Sequence, residues 1–413
     1  MFSLSSKFQE QVKNKKKRKN CWLFHATDFQ SLMNPCFAFC RILGIFPYKI
    51  NGSSFETSKP CYFLSAIVMC VFCFCALIII MDIAKFNVQN VRRTIELYSF
   101  YIFGSFITVV TYILNSPRVR LLQTILKNSS KLPSKTYQEQ SVMIHVKDIV
   151  GFFFLLVYSL ICYYRAQHSI LIKVSSLYII LVLFQMNMLY INCVCVLKAC
   201  FKKIDFDLAH LLITNDEPHL VKWIYREQKN PLLLMELKAL KKQYLMVSDS
   251  VQVLNIIFSP QLLATIAIAF TEITFELYFN IVQWQNGLSI RWKQTDFIYT
   301  MIYVMYYLMK IALIAWACET GKNEAIKIST TVHDVLNSTS DEQIKHELQL
   351  FSLQIMHCNK KFSAKGLTLG ATLVTTIIST IATYFLILMQ FLIASHSCEG
   401  RIIINVTRAQ PKN

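Results

Sequence analysis

Glycine and proline are scarce in this chain, nine of each among 413 residues. Charge is thin too: Asp, Glu, Lys and Arg make up 16%, against about a quarter in soluble proteins. So little turn chemistry and polar surface exclude a soluble multidomain protein and point to many long helices. Catalytic signatures are missing as well. There is no HExxH, no GxSxG, no P-loop and no pair of histidine ligands on one apolar helix. His333, His346 and His357 lie in an amphipathic segment and read as surface or packing residues. The fourteen cysteines sit mostly inside apolar runs, as Cys61, Cys70, Cys73 and Cys75 do, where they act as small hydrophobes. They form no zinc-spaced cluster with histidine. An enzyme, a metal site and a cofactor are therefore not expected.

What the chain has instead is apolar length and positive charge. It is 54% hydrophobic, with a formal net charge of +18 and a mean hydropathy of +0.41. Such charge suits nucleic acid or a membrane surface. The hydropathy decides for membrane, because the basic residues stand between apolar stretches. No nucleic-acid partner is expected, since the basic N-terminus lacks interleaved aromatics. The first twenty residues are polar, carry no cleavable signal and end in Lys13-Asn14-Lys15-Lys16-Lys17-Arg18-Lys19, an anchor for anionic lipid.

A spanning helix needs about twenty mostly apolar residues. Candidates cover 61–84, 95–115, 149–164, 170–197, 253–279, 297–317 and 367–394, and Pro260 kinks the fifth without ending it. The expected fold is all-α, a polytopic membrane protein with seven transmembrane helices. Its orientation follows from basic residues. With the N-terminus inside, 31 of the 42 Lys and Arg fall in the inner segments and 10 in the outer ones, Lys310 lying within the sixth span. That orientation is opposite to a G-protein-coupled receptor, and it leaves Cys398 as the one cysteine outside, so no structural disulfide is expected there. Sequons stand at Asn51, Asn128, Asn337 and Asn405, of which only Asn405 falls outside.

The expected organisation is a basic inner segment 1–60, six helices within 61–317, inner helices 318–366, a last span 367–394 and an outer tail 395–413. Segment 198–250 is polar yet patterned, with Leu232, Leu233, Met235, Leu237, Leu240 and Leu245 among charges. Segment 318–366 places Ile326, Val332, Leu336, Ile344, Leu348, Phe351 and Ile355 at helical spacings. Both read as inner helices that extend spans four to seven and pack together as an anchor.

The last span carries the densest signal, Thr383-Tyr384-Phe385-Leu386-Ile387-Leu388-Met389-Gln390-Phe391. Polar groups in a membrane helix must face protein or water. Thr383 and Gln390 are seven apart and share a face, which Thr376 and Thr380 extend. A stripe of hydroxyls and one amide suits a pore lined by copies of this helix. Phe391 beside Gln390 suits a dewetted gate. The alternative is a set of interhelical hydrogen bonds within one subunit.

The same stretch resembles the signature of insect gustatory receptors, a Thr-Tyr pair, five mostly apolar residues and Gln-Phe near the C-terminus. His357 to Gly366 looks like the family's approach to that helix, and Cys318-Glu319 to His333-Asp334 like its segment after the sixth span. The resemblance implies a ligand-gated, non-selective cation channel in the plasma membrane of chemosensory neurons. It implies a homotetramer, or a heteromer with related subunits, with the last helix at the fourfold axis. A small-molecule tastant and membrane lipid are the implied partners. Leu367-Thr368-Leu369 stands where many members carry acidic residues. Phe385 stands where some sugar receptors carry one, which counts against a sugar.

The family's pocket lies in the outer halves of spans two to six. Here these supply Tyr98, Tyr101, Tyr158, Tyr163, Tyr178, Thr271, Glu272, Thr274, Tyr299, Tyr303 and Tyr306. Aromatic walls with a few polar groups suit a small molecule, and interface aromatics are the alternative for any one tyrosine. Glu276 stands one turn from Glu272, nearer the end, where solvent can reach it. Lys310 is expected to snorkel or pair with a carboxylate. Two rival classes are a G-protein-coupled receptor and a transporter. The first lacks an NPxxY-like ending as well as the right charge bias, and the second lacks repeated halves.

Overall fold

The computed structural model describes residues 24–51, 54–85, 91–165, 169–213, 222–285, 294–358 and 361–408. The basic run 13–19, residues 359–360 of the segment before the last helix, and the side chains of Asn51 and Asn405 lie outside the described set.

The chain opens with α1 (Phe29–Ile42), set by a capping box in which Asp28 accepts from the Ser31 amide at 2.7 Å. Phe29, Leu32, Met33, Cys36, Phe37 and Cys40 form its single buried face, which packs on α5 (Ser134–Arg165) and α6 (Ile170–Ile213). A hairpin of β1 (Tyr48–Asn51) and β2 (Ser54–Thr57) follows, antiparallel with Tyr48 opposite Thr57. Then come α2 (Lys59–Lys85), α3 (Val91–Ile113) and the short α4 (Asn115–Ser129). After α5 and α6 run α7 (Lys222–Gln285), α8 (Gln294–Ser338) and α9 (Glu342–His357). A two-residue hairpin, β3 (Ser363–Ala364) with β4 (Leu367–Thr368), leads to α10 (Ala371–Arg408).

Among the described residues seven helices are long and apolar enough to cross a membrane: α2, α3, α5, α6, α7, α8 and α10. They divide by what covers them. The apolar window of α6 is 94% buried, while those of α2 and α10 are 22% and 17% buried. So α6 is the axle, packed most extensively on α8 and then on α7. The outer face of α2, with Phe63, Val71, Phe74, Leu77 and Met81 exposed, is a surface for lipid. Polar residues on α6 find partners inside the bundle. Gln185 donates to the Cys36 carbonyl at 2.9 Å, and Asn192 donates to Asp148 at 3.1 Å.

At one end α6, α7 and α8 run on beyond their apolar windows and join α9 in a second bundle. Its core is Phe201, Tyr244, Ile344, Leu348, Phe351 and Ile355. Lys327 pairs with Asp205 at 2.9 Å, and Lys241 with Glu347 at 3.2 Å. The last helix starts at Ala371, after the hairpin, and continues to Arg408. The sequon at Asn128 is taken up by packing: its amide donates to Ser250 Oγ at 2.9 Å and the Met246 carbonyl at 3.2 Å.

Candidate functional site

Two polar constellations lie within the apolar part of the structure. The first is on α10. At 3.6 residues per turn, Thr372, Thr376, Ser379, Thr383 and Gln390 fall within an arc of about 60°. All are exposed on the isolated chain. Leu373, Ile377 and Ile381, on the far side of the helix, are its buried residues, and α10 packs on α7 and α8. Thr376, Thr380 and Thr383 donate to the carbonyls of Thr372, Thr376 and Ser379 on their own helix at 2.7–2.9 Å. Helix-internal bonds leave the stripe facing away from the subunit. Thr380 is half-buried at its edge. Tyr384 and Phe391 point about a quarter turn or more from the stripe. Tyr384 meets Phe270 of α7 edge-on at 5.7 Å, and Phe391 is 71% exposed. Thr372 and Ser379 belong to the stripe although the Thr-Tyr and Gln-Phe motif does not reach them. Thr372 stands four before Thr376, and Ser379 four before Thr383 and eleven before Gln390, and these spacings are the signal.

The second constellation is a tyrosine box between α5, α7 and α8. Thr300, Tyr303, Tyr307 and Lys310 recur at three, four and three along α8, a single helical face. Opposite them α7 presents Glu272 and Glu276, one turn apart. Tyr303 donates its hydroxyl to Glu272, and Thr300 donates to Glu276 at 3.0 Å. From α5, Tyr158 stacks on Tyr306 with centroids 4.2 Å apart and shares a hydrogen bond with the Tyr307 hydroxyl at 3.1 Å. Lys310 is buried, its ammonium 5.1 Å from the Tyr307 ring centroid and 5.5 Å from that of Tyr306. It neither snorkels nor pairs directly. Among the described residues no carboxylate lies within ion-pair distance of it, and cation–π attraction holds the charge instead. One oxygen of Glu272 and the Tyr306 hydroxyl are buried without a hydrogen-bond partner, a costly arrangement that a donor group would relieve.

The candidate pocket residues therefore divide. Tyr158, Glu272, Tyr303 and Tyr306 come together, joined by Tyr307, Lys310 and Thr300. Tyr101 is buried elsewhere, with its hydroxyl on the Ile172 carbonyl and Ser176 Oγ at 2.8 Å. Tyr178 donates to the Leu43 carbonyl at 3.1 Å and braces α1. Thr271 and Thr274 bond carbonyls of their own helix. Tyr98 is half-buried on α3, and Tyr299 is on the surface. Tyr163, half exposed, lies under the Lys173 ammonium at 4.6 Å and lines an apolar cavity of about 460 Å³ between α5 and α6, behind the box. Tyr307 was legible as the neighbour of Tyr306 with the better spacing to Tyr303 and Lys310.

Residues 33–395 match the family model described as 7tm chemosensory receptor. Among curated proteins, gustatory receptor 28b of Drosophila melanogaster is 33% identical over 156 residues, covering 35% of this chain and 32% of that protein. Gustatory receptor 28a of the same species is 29% identical over 154 residues, covering 37% and 34%. The chain thus matches about a third of the length of these relatives. Among solved structures, the insect olfactory receptor OR5 from Machilis hrabei in complex with eugenol superposes with a TM-score of 0.66 at 11% identity, over 88% of this chain and 98% of that one. The same receptor without that description of a ligand gives 0.65. At that identity the likeness is one of fold.

Proposed function

Because the chain belongs to the 7tm chemosensory receptor family, we propose that it is a gustatory receptor that is itself a ligand-gated, non-selective cation channel. Copies of α10 line the pore, in a homotetramer or with related subunits, in the plasma membrane of chemosensory neurons. The N-terminus and the α9 bundle face the cytoplasm. The observation that carries this reading is the stripe of Thr372, Thr376, Ser379, Thr383 and Gln390, turned away from the subunit's own core. Exposed polar groups on a helix in lipid need water or another chain, and a shared aqueous axis supplies both. Phe391 is exposed beside Gln390 but points about a quarter turn from the stripe, so Gln390 forms the constriction in this reading.

The tyrosine box is the proposed tastant site. It combines aromatic walls with an unpartnered carboxylate oxygen and a buried ammonium, and it stands on α8, one of the two helices that seat α10. A small organic ligand is in keeping with the eugenol bound by the structural relative. Binding need only favour the open arrangement over the closed one; tenfold preference in each of several subunits moves the equilibrium strongly.

The test is substituted-cysteine accessibility on the full-length receptor. Thiol reagents applied to Thr376→Cys, Thr383→Cys and Gln390→Cys should reduce or block ligand-evoked current, while Ile377→Cys and Ile381→Cys should be inert. Gln390→Ala should change conductance or gating with surface expression preserved. Equal reactivity of both faces, or unchanged currents in Gln390→Ala, would overturn the pore assignment.

A further inference from the structure

The start of α10 lacks what a helix N-terminus ordinarily uses. The residue before it is Gly370, without a side chain, and its first turn holds no acidic residue. Four amides at such an end have no partner within the helix. The structure fills the gap from another element: the Glu319 carboxylate of α8 lies against the backbone at Gly370, where the helix begins. A Cβ built on Gly370 would stand 2.5 Å from Glu319 Oε2, so the glycine is what lets the carboxylate reach the backbone. Lys322, one turn on, steadies Glu319 at 2.8 Å.

The hairpin leading into α10 is keyed to the same place. The Asn255 amide on α7 donates to the Lys361 carbonyl at 2.8 Å, and its oxygen accepts from the Ser363 amide at 3.2 Å. Ser259 accepts from the Lys365 amide at 3.1 Å. Phe362 lies against Gly321 of α8, where an added Cβ would stand 2.9 Å from the ring. Lys365 and Gly366 turn the chain at φ of 45° and 90°. So α10 begins from a clamp whose electrostatic part is Glu319. Nine residues back along α8 stands Lys310, then Tyr307, Tyr306 and Tyr303, and nine residues of helix span about 14 Å.

We propose that Glu319 is a positioning residue that ties the N-terminus of α10 to the helix carrying the tyrosine box, so that displacement of α8 is delivered to the pore helix through this carboxylate. The proposal rests on the channel reading for its consequence. The physical link itself does not need it. A carboxylate at a helix N-terminus is held by the amide and by the helix dipole together. The contact is therefore placed to transmit a shift of α8 and exposed enough, at 31% for Glu319, to break and re-form.

The experiment is hydrogen exchange on purified full-length receptor in lipid nanodiscs, read at the first turn of α10, beside whole-cell currents. Glu319→Ala should speed exchange there about tenfold, and Gly370→Ala should do the same by pushing the carboxylate aside. Glu319→Gln keeps an acceptor and should stay within about threefold of the parent. The coupling is read by a cycle. Tyr307→Phe, and separately Lys310→Met, should alter exchange at the start of α10 in the parent and have no such effect when combined with Glu319→Ala. Unaltered exchange in Glu319→Ala, or equal effects of the box variants in both backgrounds, would overturn the proposal. If the parent passes no current while the exchange pattern holds, the channel reading fails and the clamp stands. Normal currents with unaltered exchange remove the clamp alone.

Discussion

Tyr303 shows what a single hydroxyl can hold. It gives the buried Glu272 carboxylate its one side-chain hydrogen bond among the described residues, since the second oxygen has none. Leaving a buried acceptor without its partner costs about 1–3 kcal/mol. Tyr303→Phe should therefore lower the thermal unfolding midpoint of the detergent-solubilised receptor by several degrees. Glu272→Gln, which keeps an acceptor for the Tyr303 hydroxyl, should cost less stability while weakening the response to tastants at least tenfold. A Glu272→Gln receptor with parental dose–response curves would remove Glu272 from the ligand site. Asn128 makes a second case at this scale. Its amide bonds Ser250 and the Met246 carbonyl across to α7, so enzymatic deglycosylation should cause no mobility shift attributable to this sequon. The sequon pattern alone says nothing of that, because it is blind to burial.

Elements meet here through small residues. A Cβ on Gly104 of α3 would stand 2.6 Å from Ile179 Cγ2 of α6, so the two helices approach as closely as a glycine permits. Gly104→Val should cost about 1–3 kcal/mol by overpacking and reduce surface expression several-fold, measured by surface biotinylation. Gly104→Ala, the smaller intrusion, should lose less. On α10 the division of labour runs round the helix. Leu373, Ile377 and Ile381 hold it to α7 and α8, and the opposite arc carries the threonines, Ser379 and Gln390. The repeat of four between Thr372, Thr376 and Thr380 and the seven between Thr383 and Gln390 made that arc legible beforehand. The departure of Tyr384 and Phe391 from it was equally legible, because two adjacent residues necessarily point about 100° apart on a helix.

At the scale of the whole molecule the expected inner segments hold 31 of the 42 Lys and Arg, so an N-terminal tag should stain only after permeabilisation and a C-terminal tag on intact cells. Staining of the N-terminal tag on intact cells would reverse the proposed orientation and move the tyrosine box to the wrong side. The sequence by itself determined the number of spans, the continuation of helical pattern beyond them, and the polar stripe of the last helix. These follow from hydropathy and from a period of 3.6, both local properties of the chain. It could not say which apolar helix faces lipid. The windows of α2 and α6 are both apolar, yet one is 22% and the other 94% buried, because hydrocarbon and protein interior reward the same side chains. Nor could it sort the tyrosines. Tyr101, Tyr158, Tyr178 and Tyr303 look alike in sequence, and only the rotation of each helix about its axis and the choice of neighbour sent Tyr303 to Glu272, Tyr158 to Tyr307, Tyr101 to Ser176 and Tyr178 to Leu43. The approach of Glu319 to Gly370 was equally hidden, since the two stand 51 positions apart. Tertiary packing decided these, because a side chain's partner is fixed by the packing of several helices at once and not by the spacing along any one of them.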